Sequence, residues 1–135
     1  VKRYLLDTNV LLRFLLADHP RLTPKARRLF ERAQAGECRL VLTDVALAEA
    51  VWVLESHYRV GRKAITETLG SLIGKPGVAC PHQAVLTDAL QRYGEKKCDF
   101  YDCYLAAMAA DSGDAVASFD RDLRKFDDVE LWDGT

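Results

Sequence analysis

Cysteine, proline, glycine and histidine are all scarce in this chain: four, four, eight and three among 135 residues. Each scarcity excludes something. Cys38, Cys80, Cys98 and Cys103 contain no CxxC pair, and a chain of this length buries enough surface to need no disulfide framework. Free buried thiols are the expectation. A zinc site is not expected, because His19, His57 and His82 do not fall at ligand spacing with the cysteines; only Cys80-Pro81-His82 has a ligand-like look, and it lacks partners. So little glycine and proline excludes collagen-like and low-complexity chains. Apolar runs such as Val10 to Leu16 are broken by charge and fall well short of the ~20 residues of a membrane span. The opening stretch meets Asp7 directly after Leu5-Leu6 and does not read as a signal peptide, so cytoplasmic residence is the expectation. An excess of positive charge is missing too. With 19 basic and 20 acidic residues the net charge is −1, which argues against a protein that coats nucleic acid by bulk charge. The charge is unevenly spread, with +4 in residues 1–70 and −5 in residues 71–135.

What is present is an alternation of short apolar strands and amphipathic helices over a length that suits one domain, residues 1–135. Strands are predicted over Arg3–Leu6, Leu40–Leu42, Ala115–Ser118 and Val129–Trp132, with Gly77–Cys80 a short strand or a connector. Helices are predicted over Asn9–Leu16, from Thr23-Pro24 to Gly36, from Thr43 or Asp44 to about Tyr58, and over Arg62–Ile73, Gln83–Tyr93 and Asp99–Ala110. The first is apolar nearly all round and reads as buried; the second is expected to use Thr23 as N-cap with Pro24 first in the helix. The class is α/β with a parallel sheet, whose ligands bind beyond the carboxyl ends of the strands.

Four carboxylates stand in chemically telling places. Asp7 closes the first strand. Glu49 is the only polar residue in VALAEAVWVL, with Val45, Trp52 and Val53 on its own face; a Glu that reaches solvent from a helix edge is the competing reading. Asp99 and Asp102 share one face of a helix's first turn, where an N-cap and capping-box role competes with function. Asp120 follows a predicted strand, with Asp122 next but one and capping again the competing role. Brought together, such acids repel one another and raise each other's pKa values. They are stable as an ionised set only around cations, and hard divalent ions, Mg²⁺ or Mn²⁺, suit all-oxygen ligands. The chemistry such ions support is phosphodiester hydrolysis. There is no G-x-S-x-G, G-x-G-x-x-G or H-E-x-x-H, and Gly74-Lys75-Pro76 is no P-loop.

The segments Leu6-Asp7-Thr8-Asn9-Val10-Leu11-Leu12-Arg13, Ala48-Glu49-Ala50-Val51-Trp52-Val53-Leu54, Asp99-Phe100-Tyr101-Asp102-Cys103-Tyr104-Leu105 and Ser118-Phe119-Asp120-Arg121-Asp122-Leu123 occur in the order and spacing of a known family. In these four segments the sequence resembles the PIN domain, in particular the VapC-type toxin ribonucleases of type II toxin–antitoxin pairs. The resemblance covers essentially the whole chain and implies one PIN domain with a three-layer α/β/α fold around a central parallel sheet. It implies that Asp7, Glu49, Asp102 and Asp120 are catalytic and hold Mg²⁺ or Mn²⁺ with Asp99 as an additional ligand, and that Thr8, Asn9 and Ser118 give polar support. The implied activity is endonucleolytic cleavage of RNA phosphodiester bonds by metal-activated water. A small antitoxin and a homodimer are the implied protein partners. The Asp-Cys-Tyr of the third segment replaces a more usual Asp-Ala-aliphatic and puts no ligand in doubt. Arg13, Lys96, Lys97 and Arg121 are candidate RNA contacts, with Arg124 and Lys125 beside the late acids; an ion-paired Arg13 is the competing reading. The helical stripe Lys25, Arg28 and Arg32 reads as a solvated face. The alternative function is a catalytically weak module of the same fold that binds RNA or a partner.

Overall fold

Three short segments pair here as a parallel sheet, in the order β1-β2-β3. The computed structural model describes residues 1–135 and resolves into two units, Val1–His82 and Gln83–Thr135.

The first unit carries the sheet. β1 (Lys2–Leu5) pairs with β2 (Cys38–Val41), Lys2 opposite Cys38 and Leu5 opposite Val41; β2 pairs with β3 (Val78–Ala79), Leu40 opposite Val78. β2 is the central strand, and Cys38, Leu40 and Val41 are buried accordingly. Parallel pairing demands crossovers. α1 (Thr8–Leu16) and α2 (Leu22–Gln34) connect β1 to β2, while α3 (Asp44–Ser56) and α4 (Arg62–Ile73) connect β2 to β3. Because the strands are parallel, Asp7, Thr43 and Cys80 all follow strands at the same sheet edge.

Local chemistry fixes the helix ends, sometimes differently from expectation. Thr43 caps α3, its Oγ1 accepting from the Ala46 N–H at 3.2 Å. Thr23 does not cap α2. The helix starts at Leu22, two residues earlier than expected, and the cap falls to His19, whose Nδ1 accepts from the N–H groups of Arg21 (3.2 Å) and Leu22 (3.0 Å). Thr23 is buried instead. Its hydroxyl donates to the Arg13 carbonyl at 2.9 Å and accepts from the His19 N–H at 3.1 Å, tying α2 to α1. Pro24 is therefore the third helical residue, still within the first turn, where no N–H is needed. α1 is less buried than its composition suggests: Leu11 and Leu12 are core residues, while Phe14 is half-buried and stacks on Phe30 with centroids 3.9 Å apart. Lys25, Arg28 and Arg32 are exposed, as expected of a solvated face.

The second unit is helical. α5 (Gln83–Glu95) packs on α6 (Phe100–Ser112), with Ala89, Ala106 and Ala107 allowing close approach. Arg92 on α5 reaches Asp128 (Nη1 to Oδ1, 2.8 Å) and Asp88 (3.1 Å), and its guanidinium lies over the Phe126 ring. A 3-10 helix, Arg121–Lys125, follows Asp120. The strands predicted over Ala115–Ser118 and Val129–Trp132 shrink to one parallel bridge between Val116 and Leu131. With so few residues in register, backbone pairing there is limited to the Val116 and Trp132 amides. A parallel sheet accompanied by six helices is the expected α/β class. The cysteines are free, with Cys38, Cys98 and Cys103 buried. His82 pairs with Asp44, Nδ1 to Oδ2 2.8 Å.

Candidate active site

In the second unit, acids gather at the start of α6. Asp102 is the third residue of that helix and is only 6% exposed. Its Oδ2 is buried without a hydrogen-bond partner. Burial, followed by the negative charges of Asp120 and Asp99, pushes its pKa up to about 6. Asp102, Asp120 and Asp122 each offer a carboxylate oxygen, all within 4.8 Å of one another. A buried acid with an unsatisfied oxygen and further acids nearby is costly on its own. An all-oxygen, multiply anionic donor set of this kind fits a hard divalent cation.

The acids are held by backbone geometry rather than by chance. Asp120 occupies the N-cap of the 3-10 helix, its Oδ1 accepting from the Asp122 N–H at 2.9 Å. Ser118 supports it from the other side: its Oγ accepts from the Asp120 N–H, also at 2.9 Å. Asp122 is further tethered to Lys125, Oδ1 to Nζ 3.3 Å, and Lys125 donates to the Lys97 carbonyl at 2.9 Å. Capping and clustering thus coexist at Asp120. At Asp99 they do not. It occupies the N-cap position of α6, yet its side chain makes no capping bond, so the competing capping-box role is not met and Asp99 stays exposed.

Asp122 is the residue sequence reasoning left unassigned. Its spacing from Asp120 reads as simple capping; the tight 3-10 turn is what brings its carboxylate back to the cluster. The signal available in the sequence was the i, i+2 pair of acids itself.

Asp7 and Glu49 lie in the first unit. Asp7 sits at the N-cap of α1 in extended conformation, and its carboxylate makes no capping bond; its main-chain carbonyl accepts from Val10 and Leu11 instead. That leaves the carboxylate available for other work. Thr8 is buried and Asn9 exposed. For Glu49 the structure corrects the premise of a carboxylate enclosed by apolar side chains. Glu49 is exposed, and its helical neighbours Val45 and Trp52 are themselves 72% and 66% exposed. The core face of α3 is Leu47, Val51 and Leu54, one row round the helix. Arg13 forms an ion pair with Asp18 at 3.4 Å, the competing reading given for it above, whereas Lys96, Lys97 and Arg121 are exposed.

The sequence matches the PIN domain family over residues 4–129. Among curated proteins it is similar to a VapC ribonuclease of Aquifex aeolicus (strain VF5), 28% identical over 122 residues that cover 90% of each chain. A match spanning both units, with the acid cluster at the start of α6, leads to one conclusion: the chain belongs to the PIN domain family.

Proposed function

We propose that this protein is a metal-dependent endoribonuclease, the toxin of a toxin–antitoxin pair, and that residues 1–135 act as one PIN domain. The observation that carries the reading is the buried, partnerless Asp102 oxygen beside Asp120 and Asp122. The similarity to a VapC ribonuclease supports the reaction class and the RNA substrate.

Asp102, Asp120 and Asp122 would hold the cation, Mg²⁺ or Mn²⁺, with Asp7, Glu49 and Asp99 as further acids on the strength of the motif match. A divalent ion held there supplies water activation and neutralisation of charge at phosphorus. The chain's own residues do the rest. Asp102 keeps a buried oxygen in the first turn of a helix, where negative charge is favoured. Ser118 fixes the Asp120 backbone, and Lys125 restrains Asp122. Thr8 and Asn9 give polar support next to Asp7. Lys96, Lys97 and Arg121, all exposed, would contact phosphates, and the family suggests a small antitoxin and a homodimer as partners. No helix is long and apolar enough to cross a membrane. A cytoplasmic site of action follows from the RNA substrate.

The deciding experiment incubates the purified protein with total RNA and Mg²⁺ or Mn²⁺, beside EDTA, Asp102→Asn and Asp7→Asn controls. Discrete fragments are expected, with activity falling at least ~100-fold in either variant, since even residues behind a metal ligand are worth 10–100-fold. Intact RNA from folded protein that still binds Mn²⁺ would overturn the nuclease and leave the alternative, a binding module of the same fold.

A further inference from the structure

Phe119 is 91% exposed, a high value for a side chain with so much apolar surface to hide. It stands next in sequence to Asp120, so its Cα is held about 3.8 Å from that of a proposed metal ligand. It is not a loose side chain. Its ring meets Trp132 edge to face, with centroids 5.6 Å apart and planes 67° to one another. Trp132 is 39% exposed and fixed twice: its backbone N–H donates to the Val116 carbonyl at 2.8 Å, and its indole N–H to the Thr135 carbonyl at 3.0 Å. The two rings, Leu131, Arg121 and Arg124 line a surface pocket of about 260 Å³ that opens beside Asp120. Both arginines are exposed. The acid at this pocket besides Asp120, Asp133, accepts hydrogen bonds from the Thr135 N–H (3.0 Å) and hydroxyl (2.6 Å).

We propose that Phe119 and Trp132 form a stacking platform for one unpaired base of an RNA strand, with Arg121 and Arg124 on its phosphates. Exposed aromatic faces interleaved with arginines are the chemistry that grips single strands. A duplex offers no free base face, so the platform selects unpaired RNA next to the scissile phosphate. This inference deepens the ribonuclease reading and rests on it.

The test is binding without turnover, in EDTA. Fluorescein-labelled oligoadenylate and oligouridylate ten-mers and a ten-base-pair RNA duplex are titrated by anisotropy into wild type, Phe119→Ala, Phe119→Tyr and Arg124→Ala. In a Trp52→Phe background Trp132 is the one tryptophan left, so its emission reports stacking directly. Phe119→Ala is expected to weaken single-strand binding about tenfold, within the range of one lost base stack, while Phe119→Tyr restores it. Arg124→Ala is expected to lower the salt slope by about one phosphate contact, and Phe119→Ala to leave that slope unchanged. Trp132 emission should be quenched by the single strands and not by the duplex. Equal affinities of wild type and Phe119→Ala, or equal binding of duplex and single strand, would overturn the proposal. So would a Phe119→Ala effect confined to self-association in sedimentation, which would make the platform a protein interface. A wild type that cleaves RNA while Phe119→Ala binds and cleaves identically would sink the platform and spare the nuclease. A wild type that neither binds nor cleaves RNA would sink both.

Discussion

Asp102 is where sequence, burial and chemistry meet most sharply. An aspartate with a pKa of about 6 in the folded protein, against 3.8 for the free side chain, binds its proton more tightly folded than unfolded. Its ionisation therefore opposes folding. The penalty is complete above the folded value of about 6, and it fades as the pH falls toward 4. Without metal, thermal stability of the wild type should accordingly rise as the pH drops from 7.5 to 5. Asp102→Asn, which keeps the shape and removes the charge, should melt higher than wild type at pH 7.5 in EDTA and lose most of that advantage near pH 4.5. Millimolar Mg²⁺ should reverse the order at pH 7.5, stabilising wild type but not the variant. Differential scanning fluorimetry across this pH range, with and without Mg²⁺, checks all three. A variant less stable than wild type under every condition would mean that Asp102 is a structural acid.

At the scale of elements, two glycines show what the chain path demands. Gly77 leads into β3 with φ at +86°, and its carbonyl accepts from the Leu40 N–H at 2.8 Å. A Cβ there would lie 2.3 Å from the Ala33 carbonyl oxygen on α2, a clash with backbone that no rotamer relieves. Gly113, which ends α6 with φ at +82°, has open space where its Cβ would stand. Gly77→Ala should therefore cost about 2–4 kcal/mol, from backbone strain and overpacking together. Gly113→Ala should cost about 1–2 kcal/mol, from the left-handed conformation alone. Urea denaturation with an unchanged m-value separates the two. Similar losses at both positions would mean that β3 moves away from α2 to accept the methyl group.

At the scale of the whole molecule, the first unit carries a net charge of +5 and the second −6, so the acid cluster belongs to the more negative half. The family match crosses the division at residue 82 without a break. If residues 1–135 are a single domain, calorimetry should give one transition with a van't Hoff enthalpy equal to the calorimetric one, roughly 95 kcal/mol near 60 °C for this length. Two resolved transitions, or a van't Hoff value near half the calorimetric one, would make the units separate folding blocks.

The order of elements, the parallel class and the family were legible in the sequence, because each rests on local periodicity and on short motifs. The helix over Arg62–Ile73 appears with the predicted bounds, Asp7 follows the first strand, and Asp102 stands in the first turn of its helix as read. Other features were not legible, since they depend on what a side chain meets across space. The helical spacing of Leu47, Val51 and Leu54 reads as a core stripe, and those three are buried; what VALAEAVWVL does not show is that Glu49 stays outside with Val45 and Trp52. An apolar neighbour in sequence does not enclose a side chain; packing does. Thr23 loses its capping role because a buried hydroxyl bonded to α1 satisfies more groups than a cap, and His19 can close the helix instead. The two late strands contract to one bridge, as their length cannot be read from propensity alone. The sequence by itself determined which acids are available and in what order they come. Only the tertiary structure decided which of them is buried, which face each other, and which, like Asp122, a tight turn brings into the cluster, because desolvation and like-charge proximity are properties of distance in space.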